Sequence, residues 1–253
     1  DMDVIYGQGT IALEIFEDIN DFDYLIAPIG GGGLISGLSL AAKELNPNIK
    51  IIGVQAEGAP SMALSIKNNK ICTLDSVNTL ADGISVKTPG NRTFEIVKDY
   101  VDEIITVSES EIVEAFLLLA EKHKLLAEAS GVVTLAALNK LNVQDKKVCC
   151  IISGGNIDML TISSLINNGL VSKGRLLCFS VELKNVPGEL LKISEILAKE
   201  NANVVKLEHN QFNAINRIHN VLLEVTVETN GHEHIQNILS AFKQNDYQIN
   251  VMY

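Results

Sequence analysis

Basic residues are too few and too scattered in this chain to form a block, and the formal net charge is −11. A charge balance of that sign argues against nucleic acid and anionic membranes as partners. Nor is there an apolar run approaching the ~20 residues that cross a bilayer, or the basic and apolar start of a signal peptide. These absences leave a cytoplasmic protein that handles a small molecule. Cysteine is scarce, and Cys72, Cys149, Cys150 and Cys178 show no metal-ligand spacing. They are read as reduced, mostly buried thiols, and no metal site is expected. The chain begins Asp1-Met2-Asp3 rather than with an initiator methionine, and is read as a fragment or a processed product.

What is present is apolar patterning. Hydrophobic residues make up 47% of 253 positions, enough for one large or two modest domains with a substantial core. Short β-like runs alternate with helical patterns up to about residue 167, which predicts an α/β domain with a mostly parallel sheet. The strands are expected at Tyr24–Ile29, Ile49–Gln55, Glu103–Val107 and Lys147–Ile152. The helix after the third opens on the capping-box pattern Ser108-Glu-Ser-Glu111, and its apolar series Ile112, Ala115, Phe116, Leu119 marks a core face. The polar, glycine-containing stretch after Asn167 reads as a linker over 168–174. Beyond it, 175–253 reads as a small ferredoxin-like domain in β-α-β-β-α-β order. Its strands are expected at Leu176–Leu183, Asn203–Phe212, Ile218–Thr229 and Gln248–Tyr253, its helices at Glu189–Glu200 and His232–Gln244. Strict alternation over Val221–Glu228 suggests one face covered by helices and one left open for a partner subunit.

Two glycine-rich turns stand at strand ends. The first, Gly30-Gly-Gly-Gly33, follows Tyr24–Ile29 and opens the helix from Leu34 to about Leu45. Four consecutive glycines suit backbone N–H groups that must approach a phosphate at a helix N-terminus; the alternative is a tight strand-to-helix turn. The second, Ser153-Gly-Gly-Asn156, lies where both turns could line one crevice. Ser153 is then a ligand contact or a helix N-cap. A dinucleotide is the rival ligand, with Glu57 placed to accept a ribose hydroxyl. The glycine register opposes it, because the third glycine of the fingerprint would fall on Ser36 or Ile35.

These turns, together with Thr79-Leu-Ala-Asp-Gly-Ile84, Pro89-Gly-Asn91, Glu128-Ala-Ser-Gly131 and Ser153-Gly-Gly-Asn-Ile-Asp158, occur in the order and rough spacing of threonine dehydratases. The chain resembles the carboxyl-terminal part of a catabolic-type threonine ammonia-lyase of the fold type II pyridoxal-phosphate family, with serine dehydratases and serine racemases as close relatives. Residues 175–253 resemble an ACT domain, whose signature turn is here Asn185-Val-Pro-Gly-Glu-Leu190.

The resemblance implies pyridoxal 5'-phosphate as cofactor, with Gly30, Gly31, Gly32 and Gly33 around its phosphate, Ser153 opposite its pyridine nitrogen, and Gly83 and Glu128 lining it. Glu128 is alternatively a solvated helix-end carboxylate. A cation site found near the position of Glu57 in some relatives needs an acid where this chain has Ala63. The lysine that holds the cofactor, in a Ser-Phe-Lys-like motif, is absent from these residues; Lys43, Lys67, Lys122 and Lys147 read as solvated charges. No catalytic residue is therefore assigned within this chain, which alone is expected to be inactive. The implied reaction is β-elimination of threonine to 2-oxobutanoate and ammonia, in isoleucine biosynthesis or amino-acid catabolism. A serine dehydratase or racemase, and a non-catalytic amino-acid-binding regulatory module, are the alternatives. The ACT resemblance implies allosteric control, a homo-oligomer formed through that domain, and a small amino acid held at Asn185, Val186, Pro187, Gly188, Glu189 and Leu190. There the helix start suits a carboxylate and Asn185 offers an amide; the alternative is a domain that only dimerises.

Overall fold

The structure, a computed structural model, describes residues 1–19, 21–210 and 220–252. The chain divides into two compact units, Asp1–Leu165 and Ile166–Tyr253. Among the described residues no helix is long and apolar enough to cross a membrane.

The first unit is built on β1 (Tyr24–Pro28), β2 (Lys50–Ala56), β3 (Glu103–Val107) and β4 (Val148–Cys150), all parallel in the spatial order β3-β2-β1-β4. Helices α1 (Met2–Asp18), α2 (Gly33–Leu45), α3 (Ser61–Lys67), α4 (Asn91–Tyr100), α5 (Glu109–Leu118) and α6 (Ala129–Ala137) accompany it. β1 and β2 are buried almost throughout, the pattern of strands covered on both faces. Leu25 and Ala27 of β1, Ile51 of β2 and Ile49 just before it pack with Ile35, Leu38 and Ala42 of α2 and with Phe94 and Val97 of α4 in one core. β4 is shorter than the sequence suggests: it pairs with β1 over Val148–Cys150, and beyond Ile151 the chain turns away as a loop. Of the four free thiols, expected to be mostly buried, Cys178 is buried and Cys72, Cys149 and Cys150 are half-buried. Burial nevertheless pushes the Cys150 thiol up to about 12, with the Cys149 thiol adding to it.

The capping box forms as read, with Ser108 Oγ accepting from the Glu111 N–H and the Glu111 carboxylate accepting from the Ser108 N–H. Lys140 Nζ reaches Glu111 at 2.8 Å and the Thr106 carbonyl at 2.8 Å, tying the box to β3.

The polar stretch expected as a linker is helical instead. α7 (Met159–Ser172) runs through it, and the turn comes only at Lys173–Gly174, with Gly174 at φ +62°. Buried Ile162, Leu165 and Gly169 recur on one side of the helix, and that stripe outweighs the turn propensity of Asn167-Asn168-Gly169.

In the second unit, β5 (Leu176–Lys184), α8 (Glu189–Lys199), β6 (Asn203–Asn210), β7 (Asn220–Glu228), α9 (His232–Gln244) and β8 (Ile249–Val251) follow one another. The sheet is antiparallel in the order β6-β7-β5-β8. Leu177, Phe179, Val181 and Leu183 of β5 and Val221, Leu223, Val225 and Val227 of β7 pack on Ile193 and Leu197 of α8 and Ile238 and Phe242 of α9. The alternate residues, including Ser180, Glu182, Leu222 and Glu224, lie on the uncovered face. The alternation over β7 thus reads as expected, although Phe212 and Ile218, expected at strand ends, lie outside the described residues.

Candidate functional site

β1 delivers the chain to the glycine loop with its last ladder bond, Ile29 N–H to the Val54 carbonyl at 2.7 Å. Directly beyond lies a cavity of about 240 Å³, lined by Gly30 to Leu34, Gly83 with Ile84, Glu128 with Ser130, and Ser153, and reaching back to Pro28. Four separate segments meet there: the loop after β1, the turn Asp82–Ile84, the start of α6 and the loop after β4. All seven residues expected around a cofactor lie on its wall, at the carboxyl ends of neighbouring parallel strands where open α/β sheets hold ligands.

The loop has the makings of an anion cradle. α2 begins at Gly33, and Ser36 is the first of its residues whose N–H finds a carbonyl, that of Gly32 at 3.0 Å. Among the described residues no acceptor meets the N–H groups of Gly31 to Leu34, the unpaired donors of a helix start. A Cβ at Gly31 or Gly33 would meet nothing within 4 Å, whereas one at Gly32, where φ is +93°, would come within 2.8 Å of Met62 Cε and 2.9 Å of Thr93 Cβ. Glycine is thus obligatory at Gly32 for the backbone, and at Gly31 and Gly33 leaves open space.

Across the cavity Glu128 occupies the N-cap of α6 but does not cap it with its side chain. Its Oε1 instead accepts from the Ser130 hydroxyl at 2.5 Å, and Gly83 packs against both, leaving no room for a side chain of its own. The helix-end reading of Glu128 therefore gives its position but not its contact. Ser153 is no helix N-cap: α7 starts at Met159 and Asp158 caps it, its Oδ1 accepting from the N–H groups of Leu160 and Thr161 at 2.9 and 3.0 Å. Ser130 and Ile84 also line the cavity although neither was expected to; both lie in segments that the sequence singled out, Ser130 two residues from Glu128 and Ile84 next to Gly83.

Of the lysines read as solvated, Lys43 is engaged with Asp102 at 2.9 Å and with the Ile49 carbonyl at 2.7 Å, and Lys147 pairs with Asp21. Glu57 is exposed and lies 3.5 Å from Lys140. Among the described residues no group of three or more His, Cys, Asp or Glu side chains could hold a metal ion.

The Asn185–Leu190 turn is held by contacts of its own. Gly188, at φ +95°, caps α8, and Glu189 at its start is salt-bridged to Lys192 at 2.6 Å and accepts from the Tyr247 hydroxyl at 3.1 Å. Lys192 first, then Tyr247, hold the Glu189 carboxyl below its ordinary range. A hollow of about 700 Å³ in this unit is lined by Lys184, Glu182, Asn220 and the Asp246–Asn250 stretch, and by no residue of that turn.

Residues 1–154 match the family model of pyridoxal-phosphate dependent enzymes. The chain is 44% identical to an L-threonine ammonia-lyase of Thermotoga maritima over 253 residues, all of this chain and 63% of that protein. It is 48% identical over 169 residues to the catabolic L-threonine dehydratase TdcB of Escherichia coli K12, 65% of this chain and 51% of the other. Among solved structures it superposes on maize serine racemase with a TM-score of 0.60 and 40% identity, covering 65% of this chain and 52% of that one. The chain thus spans less than two thirds of the length of these relatives.

Proposed function

The chain belongs to the family of pyridoxal-phosphate-dependent enzymes, and from that premise we propose that it is the phosphate-holding portion of an L-threonine ammonia-lyase, followed by an ACT regulatory domain. The observation that carries the reading is the cavity itself, where unpaired N–H groups, open space beside Gly31 and Gly33, a carboxylate and a serine hydroxyl converge from four segments. This donor set fits the cofactor. Gly30 to Gly33 would hold the phosphate through backbone N–H groups and the start of α2. Ser153 would face the pyridine nitrogen with a neutral hydroxyl, which does not keep that nitrogen protonated as a carboxylate would. Glu128, oriented by Ser130, would line the ring with an acceptor oxygen. When bound, pyridoxal phosphate supplies an electron sink for charge developing at the substrate Cα, and this environment favours elimination over transamination.

The proposed reaction is β-elimination of the threonine hydroxyl with release of 2-oxobutanoate and ammonia. The lysine that the resemblance calls for lies outside these residues, so the activity is assigned to the protein that contains it. The test is a 2-oxobutanoate assay on the full-length protein and on this chain alone. Turnover of L-threonine by the first and none by the second is expected. Turnover by the 253-residue chain, or none by the full-length protein, overturns the reading. The maize serine racemase likeness makes L-serine the comparison arm: a higher kcat/KM for serine, or racemisation without ammonia, would favour the runner-up. An extra methyl discriminates by only about 1–3 kcal/mol.

For the second unit, the β-α-β-β-α-β order, the helices packed on one face and the Asn185-Val-Pro-Gly turn support the ferredoxin-like ACT reading. The uncovered face, which carries Ser180, Glu182, Leu222 and Glu224, would meet a second copy, and the turn would hold a small branched-chain amino acid.

A further inference from the structure

We propose that Thr93 is a positioning residue for the anion cradle, locking the Gly31–Gly32 peptide plane so that the Gly32 N–H faces the ligand. The inference rests on the reading of the glycine loop as a phosphate site. Thr93 is the third residue of α4 and does not line the cavity. Its Oγ1 lies 2.6 Å from the Gly31 carbonyl oxygen and 3.0 Å from that of Gly90. A hydroxyl has one hydrogen to donate, and the nearer acceptor is Gly31. The Gly90 carbonyl already accepts from the Phe94 N–H at 2.9 Å, so the helix start does not need the hydroxyl.

The consequence follows from peptide geometry. In a planar trans peptide the carbonyl of one residue and the N–H of the next point in opposite directions. Drawing the Gly31 carbonyl toward α4 therefore aims the Gly32 N–H away from α4. A Gly-Gly link has no Cβ to resist rotation of that plane, so the alternative orientation, with the Gly31 carbonyl turned the other way, is open to it. A carbonyl dipole aimed at a phosphate repels it where an N–H attracts it. The Thr93 hydroxyl selects between the two.

Thr93→Val keeps the shape of the side chain and removes the donor; Thr93→Ser keeps the donor. For the full-length protein and both variants, the dissociation constants of pyridoxal 5'-phosphate and of pyridoxal are measured by titration, with melting temperatures alongside. The ratio of the two constants isolates the phosphate. The wild-type protein is expected to prefer the phosphorylated form, Thr93→Val to lose about tenfold of that preference or more with pyridoxal binding unchanged, and Thr93→Ser to retain it. If the wild type shows no preference, the phosphate reading of the loop falls and the Thr93 assignment with it. If the wild type shows one and Thr93→Val keeps it, or weakens both ligands equally, the loop reading stands and the assignment of Thr93 is overturned.

Discussion

Neighbouring glycines in the loop answer to different constraints, and single substitutions separate them. At Gly32 a methyl group would be forced against Met62 and Thr93 in a backbone conformation that side chains avoid, so Gly32→Ala is expected to lower stability by about 1–3 kcal/mol. Gly33 begins α2 and faces open space, so Gly33→Ala is expected to leave stability unchanged or raise it by about 0.4–1 kcal/mol. The same methyl enters the cavity, so binding of pyridoxal phosphate should weaken while the fold does not. Urea denaturation with a ligand titration reads both effects. An unchanged affinity in the Gly33 variant would place the phosphate elsewhere. That the run of glycines would line a crevice was legible from its length and its place at a strand end, because four exceed what a turn needs. Which of them takes a positive φ was not, since identical residues encode no direction. In the structure it is Gly32, and Met62 and Thr93, distant in sequence, fill the space that a side chain there would need.

Between elements, the most consequential polar contact is Asp102, just before β3. It accepts from the Ile51 N–H at 2.8 Å, from Lys43 of α2 at 2.9 Å and from Lys50 of β2 at 2.9 Å. Burial works to raise its pKa, but the Ile51 N–H and the two ammonium groups outweigh it and hold the carboxyl at about 2, from an ordinary 3.8. A depressed carboxyl contributes stability that is present above the unfolded-state value and is lost as pH falls through the folded one. Asp102→Asn should therefore cost about 1–2 kcal/mol near neutral pH, after allowance for solvent screening. The gap between variant and wild type should close from about pH 4 to about pH 2. Denaturation midpoints across that range test it, and a gap independent of pH would mean that the contact contributes no charge-dependent stability. Local signals such as the Ser108–Glu111 capping box were legible because their partners are three residues apart. The Asp102 clamp was not, because Lys43 and Lys50 approach it only once β2 and β3 have paired. The helical path of α7 through Asn167-Asn168-Gly169 was hidden for a related reason: turn propensity is local, and the buried stripe that overrides it runs the length of the helix.

At the scale of the whole molecule, the change from a period of helices between buried strands to strict strand alternation was what made two kinds of architecture readable. The Asn185–Leu190 turn was legible only as a motif, and its surroundings depend on contacts such as that of Tyr247 with Glu189, 58 positions apart. Each unit has its own apolar core, one around Leu25, Ile35 and Phe94, the other around Phe179, Val225 and Phe242. A ligand that binds one folded unit stabilises that unit by about 2.7 kcal/mol at a hundredfold excess over Kd, and slows local exchange accordingly. Hydrogen exchange resolved by peptide should therefore report the two proposed ligands separately. Pyridoxal phosphate is expected to protect Gly30–Leu45 and the start of α6, within Asp1–Leu165. Isoleucine or valine is expected to protect Asn185–Leu190 and the adjoining end of β5. To bind there, the amino acid's carboxylate must meet the N–H groups of a helix start that already carries the Glu189 carboxylate, so Glu189→Gln should tighten binding by removing a like charge. Protection of Gly30–Leu45 alone, with no amino acid slowing exchange in Ile166–Tyr253, would leave the cofactor reading intact and remove the effector from this turn. Amino-acid protection that Glu189→Gln weakens would instead make Glu189 a contact for the ligand's ammonium group and reverse the orientation proposed here.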